Sequence, residues 1–277
     1  MTVTTVDAFT DRPFAGNPAA VVVLEREAPE RWMRALAAEM NLSETAFLVP
    51  GGEAWALRWF TPSVEIDLCG HATLAAAHVL FETGRVAAGG TAHFDTRSGR
   101  LTVAQEGDRL AMDFPATPPE PAQPPPALAE ALGAWPVWTG RSRFDWFAVL
   151  PSALDVRALD PDHGRLAALP GVAGQANARG VIVTAQAEAD EKLDVVSRFF
   201  APGAGVPEDP VTGSAHCAIG PYWAGQFGTD SVACAQLSRR GGHVDVRVLG
   251  DRVELTGSAV TVYRATLEDA ALPDSNA

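Results

Sequence analysis

The sequence lacks the marks of several large function classes. It has three cysteines, Cys69, Cys217 and Cys234, an odd number without metal-ligand spacing. That excludes a disulfide scaffold and suits a reducing compartment, so a cytoplasmic protein is expected. Basic residues are in deficit: 21 Lys and Arg against 34 Asp and Glu give a formal net charge of −13. Nucleic acid is not an expected partner, because phosphate recognition wants a basic stripe. No apolar stretch approaches the roughly 18 residues a membrane span needs, so no membrane association is expected. The opening MTVTTVDAF has neither the basic start nor the apolar run of a signal peptide. Walker-type and GxGxxG nucleotide motifs are missing, as is a GxSxG nucleophile elbow. The six histidines form no HExxH or HxxxH pair, which leaves a zinc hydrolase poorly supported and no metal expected.

What is present is a soluble-type composition, 47% hydrophobic and 20% charged over 277 residues, enough for one large or two modest domains. One stretch is used twice. Arg58-Trp59-Phe60-Thr61-Pro62 and Arg198-Phe199-Phe200-Ala201-Pro202 share the order Arg, two aromatics, a small residue and Pro. An irregular acidic loop follows each, leading to Gly70-His71-Ala72 or Gly213-Ser214-Ala215. An Ala-rich apolar run then closes at Gly84 or Gly228, as expected for a buried helix with a glycine end. The chain therefore reads as two related lobes, each with a strand, a loop and a helix. The N-terminus of a helix offers unpaired N–H groups and a partial positive charge to a carboxylate or oxyanion.

Short strands are expected over residues 2–9, 18–24 and 55–61, with an amphipathic helix over 29–40. Further strands near 91–97, 101–105 and 110–114 complete an N-terminal lobe at 1–115. The proline-rich stretch 116–127 reads as a connection. A C-terminal lobe spans 128–267, with strands near 146–150, 180–185 and 194–200, a hairpin around Gly250-Asp251 and a last strand near 259–264. A return of that last strand to the first lobe is left open. Residues 268–277 read as a disordered tail.

The chemistry left to the chain rests on Glu44, Cys69, His71, Asp209 and Ser214. Carboxylates beside an anion-binding helix end suit proton abstraction from carbon next to a carboxylate, with the helix end stabilising the developing charge. At this point GNPAAVV, NLSETAFL, RWFTPSVEIDLCGHATLA and EDPVTGSAH, in this order, resemble the phenazine-biosynthesis PhzF-like isomerase family. That family shares its fold with diaminopimelate epimerase and proline racemase. The resemblance covers residues 3 to about 223.

It implies an α+β (mixed) fold with two pseudo-symmetric lobes, each a curled mixed sheet or barrel around a central helix, and an active site between them. It also implies a cofactor-independent isomerase, homodimeric, that shifts a proton on a small carboxylate-bearing metabolite. Carried over by motif, Glu44 is the general acid/base, and His71, Asp209 and Ser214 orient and polarise the substrate. Ser43, Gly70, Gly213 and Cys69 complete the expected substrate-binding set. Cys69 stands where related racemases place a catalytic cysteine, but free Cys packs readily in cores, and packing is the expected role. Alternatives are a two-base racemase in which Cys69 opposes Asp209 or Glu44, a non-catalytic binder, and a thiol hydrolase. The last is disfavoured because Cys69 and His71, two residues apart at a helix entry, need not point together. Arg58 and Arg198 are expected as structural ion-pair partners, Asp67 as a solvated acid and His78 as a helix-packing residue.

Overall fold

The computed structural model describes residues 1–171, 179–189 and 192–273. The chain divides into two compact units, Met1–Asp113 with Thr256–Ala277, and Phe114–Leu255. The boundaries differ from the expected ones at both ends. Residues 114–127 belong to the second unit, and the C-terminal segment from Thr256, with the whole of the last strand, belongs to the first.

In the first unit, Thr2–Ala8 pairs antiparallel with both Asn17–Val23 and Ala259–Thr266. Asn17–Val23 runs parallel to Glu44–Pro50, which pairs antiparallel with Trp55–Phe60. Trp55–Phe60 turns back on Glu65–Ile66 and runs parallel to Thr91–Thr96. Meandering strands Gly99–Glu106 and Arg109–Pro115 finish the mixed sheet. Both faces are covered. Ala20, Val22 and Phe47 pack with Met33 and Leu36 of the helix Glu30–Met40. Strand alternation turns Asn17, Ala19, Glu44, Ala46 and Leu48 to the opposite face.

A central helix, Gly70–Glu82, packs on this sheet and is buried on nearly every side from His71 to Leu80. Its Ala72, Ala75, Ala76 and Ala77 are fully buried, and their small side chains let the sheet come close. A helix apolar all round can exist only enclosed. It ends in a Schellman motif: Arg85 N–H donates to Leu80 O and Gly84 N–H to Phe81 O, with Gly84 at φ +66°.

The second unit repeats the order. Trp138–Arg141 pairs antiparallel with Trp146–Val149, which runs parallel to Val181–Gln186. That strand pairs antiparallel with Val195–Ala201, which turns back on Val206–Asp209 and runs parallel to Ser231–Gln236. The same sequence of parallel and antiparallel steps occurs in both units. Helices Ala127–Leu132, Ala153–Ala158 and His163–Ala167, which the sequence reading left unassigned, cover one face. The central helix Gly213–Phe227 packs against Ser231–Gln236 and Gly242–Leu249.

The duplicated Arg-aromatic-aromatic entry has a physical purpose in each unit. Arg58 forms a fork with Glu65 through Nε and Nη2, both at 2.7 Å, and lies 5.1 Å over the Phe60 ring. Arg198 forms the matching fork with Glu208, at 2.6 and 2.9 Å, and lies 4.8 Å over Phe200. Each bidentate pair braces the strand against the return strand that leads to the central helix. Both arginines act as the ion-pair residues expected.

The proline-rich stretch is stitched into the second unit. Its Thr117 N–H donates to Cys217 O at 2.9 Å. Pro221, inside the helix, has no N–H for that carbonyl, so the loop replaces the missing bond. Glu120–Pro121 also pairs with Trp138–Arg141. The expected tail is ordered in part: Asp269–Ala271 is a short 3-10 turn whose Ala271 O accepts from Trp32 Nε1 at 2.8 Å. Residues 274–277 lie outside the described residues.

Close packing of the second central helix gives a test. A Cβ on Gly220 would stand 2.3 Å from Val246 Cγ1. Gly220→Ala is expected to lower unfolding stability by about 1–3 kcal/mol, as overpacked cores do. Adding Val246→Ala should recover part of that loss in chemical denaturation, a coupling that a purely local effect on the helix would not show.

Candidate active site

The first half-site grows from the helix start. Cys69 is the extended cap residue of the first central helix, and its carbonyl accepts from Thr73 N–H and Thr73 Oγ1. His71 follows Gly70 and is 6% exposed. Its Nε2 lies 2.9 Å from Glu44 Oε2. Glu44 opens its strand on the face that also carries Ala46 and Leu48, so pleat alternation aims the carboxylate at the helix start. Cys69 Sγ stands 3.5 Å from His71 Nδ1, and Asn17 Nδ2 3.2 Å from the same nitrogen. Ser43 Oγ reaches Asn17 Oδ1 at 3.4 Å. Glu44, Ser43, Cys69, Gly70 and His71 are therefore neighbours, as a shared role requires.

Burial disfavours a charged His71, but Cys69 and Glu44 beside it outweigh burial and raise the imidazole above its ordinary value. The environment so favours the protonated ring beside Glu44. Burial, with help from the Glu44 charge, pushes the Cys69 thiol up despite His71 beside it. Cys69 does point at His71, contrary to the expectation for residues two apart. Its raised value nonetheless keeps it a thiol, the wrong form for a nucleophile.

The second half-site stands at the start of the other central helix. Thr212 Oγ1 donates to Asp209 Oδ2. Gln236, 1% exposed, donates from Nε2 to Asp209 O at 2.7 Å and accepts from Thr212 N–H at 2.9 Å. Ser238 Oγ holds Pro210 O at 2.8 Å. The loop from Asp209 to Thr212 is thus fixed both by its own Thr212–Asp209 bond and by Gln236 and Ser238.

Arg179 Nη2 donates to Ser214 Oγ at 3.1 Å. Its Nε donates to Asp145 Oδ1 at 2.9 Å, and Nη2 also meets Asp145 Oδ2. The guanidinium lies over the Phe144 and Phe199 rings, at 5.0 and 5.5 Å. A guanidinium only donates, so Ser214 Oγ must accept from it, which leaves the Ser214 O–H free to donate elsewhere. A hydroxyl so oriented can donate to a negative oxygen.

The two half-sites are built on equivalent positions. Asn17 and Asp145 stand at or just before the start of the second strand of each order, Glu44 and Arg179 at or just before the third, and His71 and Ser214 directly after the helix glycine. Their charge is inverted: a carboxylate faces a histidine in one, and a guanidinium faces a serine in the other. Sequence reading missed Asn17, Asp145, Arg179, Thr212 and Gln236. Asn17 was hidden in a turn dense with breakers. Arg179 sits in Asn177-Ala178-Arg179-Gly180, which carries no motif; only alignment of the two strand orders could have flagged it.

His216, one turn into the second helix, gives a stability test. Its Nδ1–H donates to Thr212 O at 2.8 Å, while Nε2 is buried with no partner among the described residues. Burial pushes its pKa down to about 4. The unfolded chain, with a value near 6.5, binds the proton first. Stability is therefore fully present above about pH 6.5 and is lost as pH falls toward about 4. Denaturation at about pH 7 and about pH 4.5 should show a drop from this group of about 2–3 kcal/mol. His216→Gln should shrink the drop by that amount.

A family model described as phenazine biosynthesis-like protein matches residues 6–265. An uncharacterised isomerase of Pseudomonas aeruginosa is 50% identical, over 93% of this chain and 94% of its own. The crystal structure of a phenazine biosynthesis protein of the PhzF family from Enterococcus faecalis is 42% identical. It matches with a TM-score of 0.89, over 96% of this chain and 99% of that one. A probable proline racemase from Agrobacterium radiobacter, 13% identical with a TM-score of 0.61, covers 97% of this chain and 93% of that one and shares the fold. With its duplicated α+β architecture and two helix-start half-sites, the chain belongs to the PhzF, or phenazine biosynthesis-like, family.

Proposed function

We propose that this chain is a cofactor-independent isomerase that moves a proton on a small carboxylate-bearing metabolite, with Glu44 as the acid/base. The observation that carries the reading is Glu44 Oε2 at 2.9 Å from His71 Nε2. The carboxylate is placed to accept a proton from carbon, and the histidine lies within hydrogen-bond distance of it. The histidine can also stabilise the negative oxygen that develops on the substrate. The relative from Pseudomonas aeruginosa, at 50% identity, bears the name isomerase.

To the start of the second central helix we assign the binding of a carboxylate or negative oxygen. Ser214, made a free donor by Arg179, and the N–H groups after Gly213 are its ligands, with Asp209 held rigid beside them. Proton transfer between a carboxylate and carbon needs no cofactor. A homodimer in the cytoplasm forms part of the same proposal, and light scattering on the purified chain tests the first half of it.

The separation of groups favours a proton shift over inversion by Glu44 and Cys69. Two bases that flank one carbon each stand about 3–3.5 Å from it, so about 6–7 Å apart. The ligand atoms of Glu44, Cys69 and His71 all lie within 4.8 Å of one another. No carbon fits between Glu44 and Cys69.

Proton NMR in deuterium oxide over a panel of enoates, hydroxy acids and amino acids tests the proposal. Enzyme-dependent exchange is expected for at least one of them, slowed by about 10²–10⁴-fold in Glu44→Gln. The position of the deuterium separates a shift between carbons from epimerisation. Exchange at the wild-type rate in Glu44→Gln would remove Glu44 as the base, and a pure binder would show no exchange at all.

A further inference from the structure

Cys69 has no task in the proton transfer described, yet it is held against the two residues that do. Its sulfur stands 3.5 Å from His71 Nδ1 and 4.0 Å from Nε2, while Glu44 Oε2 lies 2.9 Å from Nε2. A thiol, an imidazole and a carboxylate therefore converge from a helix cap, the first helical turn and a strand start, all three donor atoms within 4.8 Å.

We propose that Glu44, Cys69 and His71 form a three-ligand site for a thiophilic divalent cation of the zinc or cadmium class, and that its occupancy switches the acid/base centre off. Tetrahedral zinc, with bonds of about 2.0–2.3 Å, sets its ligand atoms about 3.3–3.6 Å apart. The separations of 2.9 and 4.0 Å bracket that range, so adjustments of about half an ångström bring these two pairs to it. One sulfur, one nitrogen and one oxygen leave a fourth position open, as three-residue zinc sites do. The mixed donor set selects against magnesium and calcium, which want oxygen alone.

When the ion binds, the thiol proton and the Nε2 proton leave to solvent, and the carboxylate oxygen that would accept a carbon-bound proton is taken up by the metal. Inhibition rests on the assignment of Glu44 as the acid/base; binding does not.

Cadmium titration of the intact chain, followed by the ultraviolet thiolate-to-cadmium charge-transfer band, reads the site without any substrate. One ion per chain is expected, with the band lost in Cys69→Ala and retained in Cys234→Ala. His71→Asn should weaken binding while leaving the far-ultraviolet circular dichroism of the folded chain. Zinc should displace the cadmium, and magnesium should not. No band in the wild type at a one-to-one ratio, or a band unchanged in Cys69→Ala, would overturn the site. Zinc that binds at one to one yet leaves deuterium exchange at full rate would instead overturn the inhibition and the role of Glu44, not the binding.

Discussion

The contact between Glu44 and His71 is the constraint on which the rest turns. A carboxylate and an imidazole, 14% and 7% exposed in their side chains, face each other at 2.9 Å at the start of a buried helix. Neither could be held there charged and alone, because each isolated buried ion would cost several kcal/mol. Their mutual attraction makes the arrangement tolerable. The helix must then be enclosed so that His71 cannot reach bulk water, the strand must begin at Glu44 so that its pleat aims inward, and Asn17 must close the far side of the ring. The all-round apolar helix and the doubly covered sheet serve that requirement as much as they serve stability.

Duplication gives one chain two helix starts with different side chains. Both units use the same strand order, the same Arg–Glu fork on the return strand and the same glycine at the helix start. On that shared frame the first unit carries Glu44 and His71, the pair to which we assign proton transfer. In equivalent places the second carries Arg179 and Ser214, a donor pair suited to negative oxygen. The forks do not touch the chemistry. They fix the loops that decide where each helix begins, and a shift of one residue there would move His71 or Ser214 by about 100° around its helix.

Much of this was legible in the sequence because it is written in local patterns. The duplicated Arg-aromatic-aromatic entry, the glycines at both helix starts and the Ala-rich runs are contiguous signals with direct structural meaning. Glu44, Cys69 and His71 were readable as candidates, and their proximity followed from strand alternation once the strand start was known. Arg179 and Asp145 were not readable: 34 residues apart and in no motif, they are joined only by the parallel pairing of Trp146–Val149 with Val181–Gln186. The proline-rich stretch misled for a similar reason. Its composition speaks against regular structure, but its anchoring depends on the Cys217 carbonyl that Pro221 leaves open, a relation across about a hundred residues. Short helices such as Ala153–Ala158 are too brief for periodicity to show.

The most direct test is the titration of the His71 ring, read by nitrogen-15 NMR in the wild type and in Glu44→Gln. If the carboxylate and the imidazole form the charged pair described, His71 stays an imidazolium through neutral pH and titrates well above the ordinary histidine value. Loss of the Glu44 charge should then bring that value down. A ring that is neutral at neutral pH in the wild type, with a titration unmoved by Glu44→Gln, would contradict the account at its base.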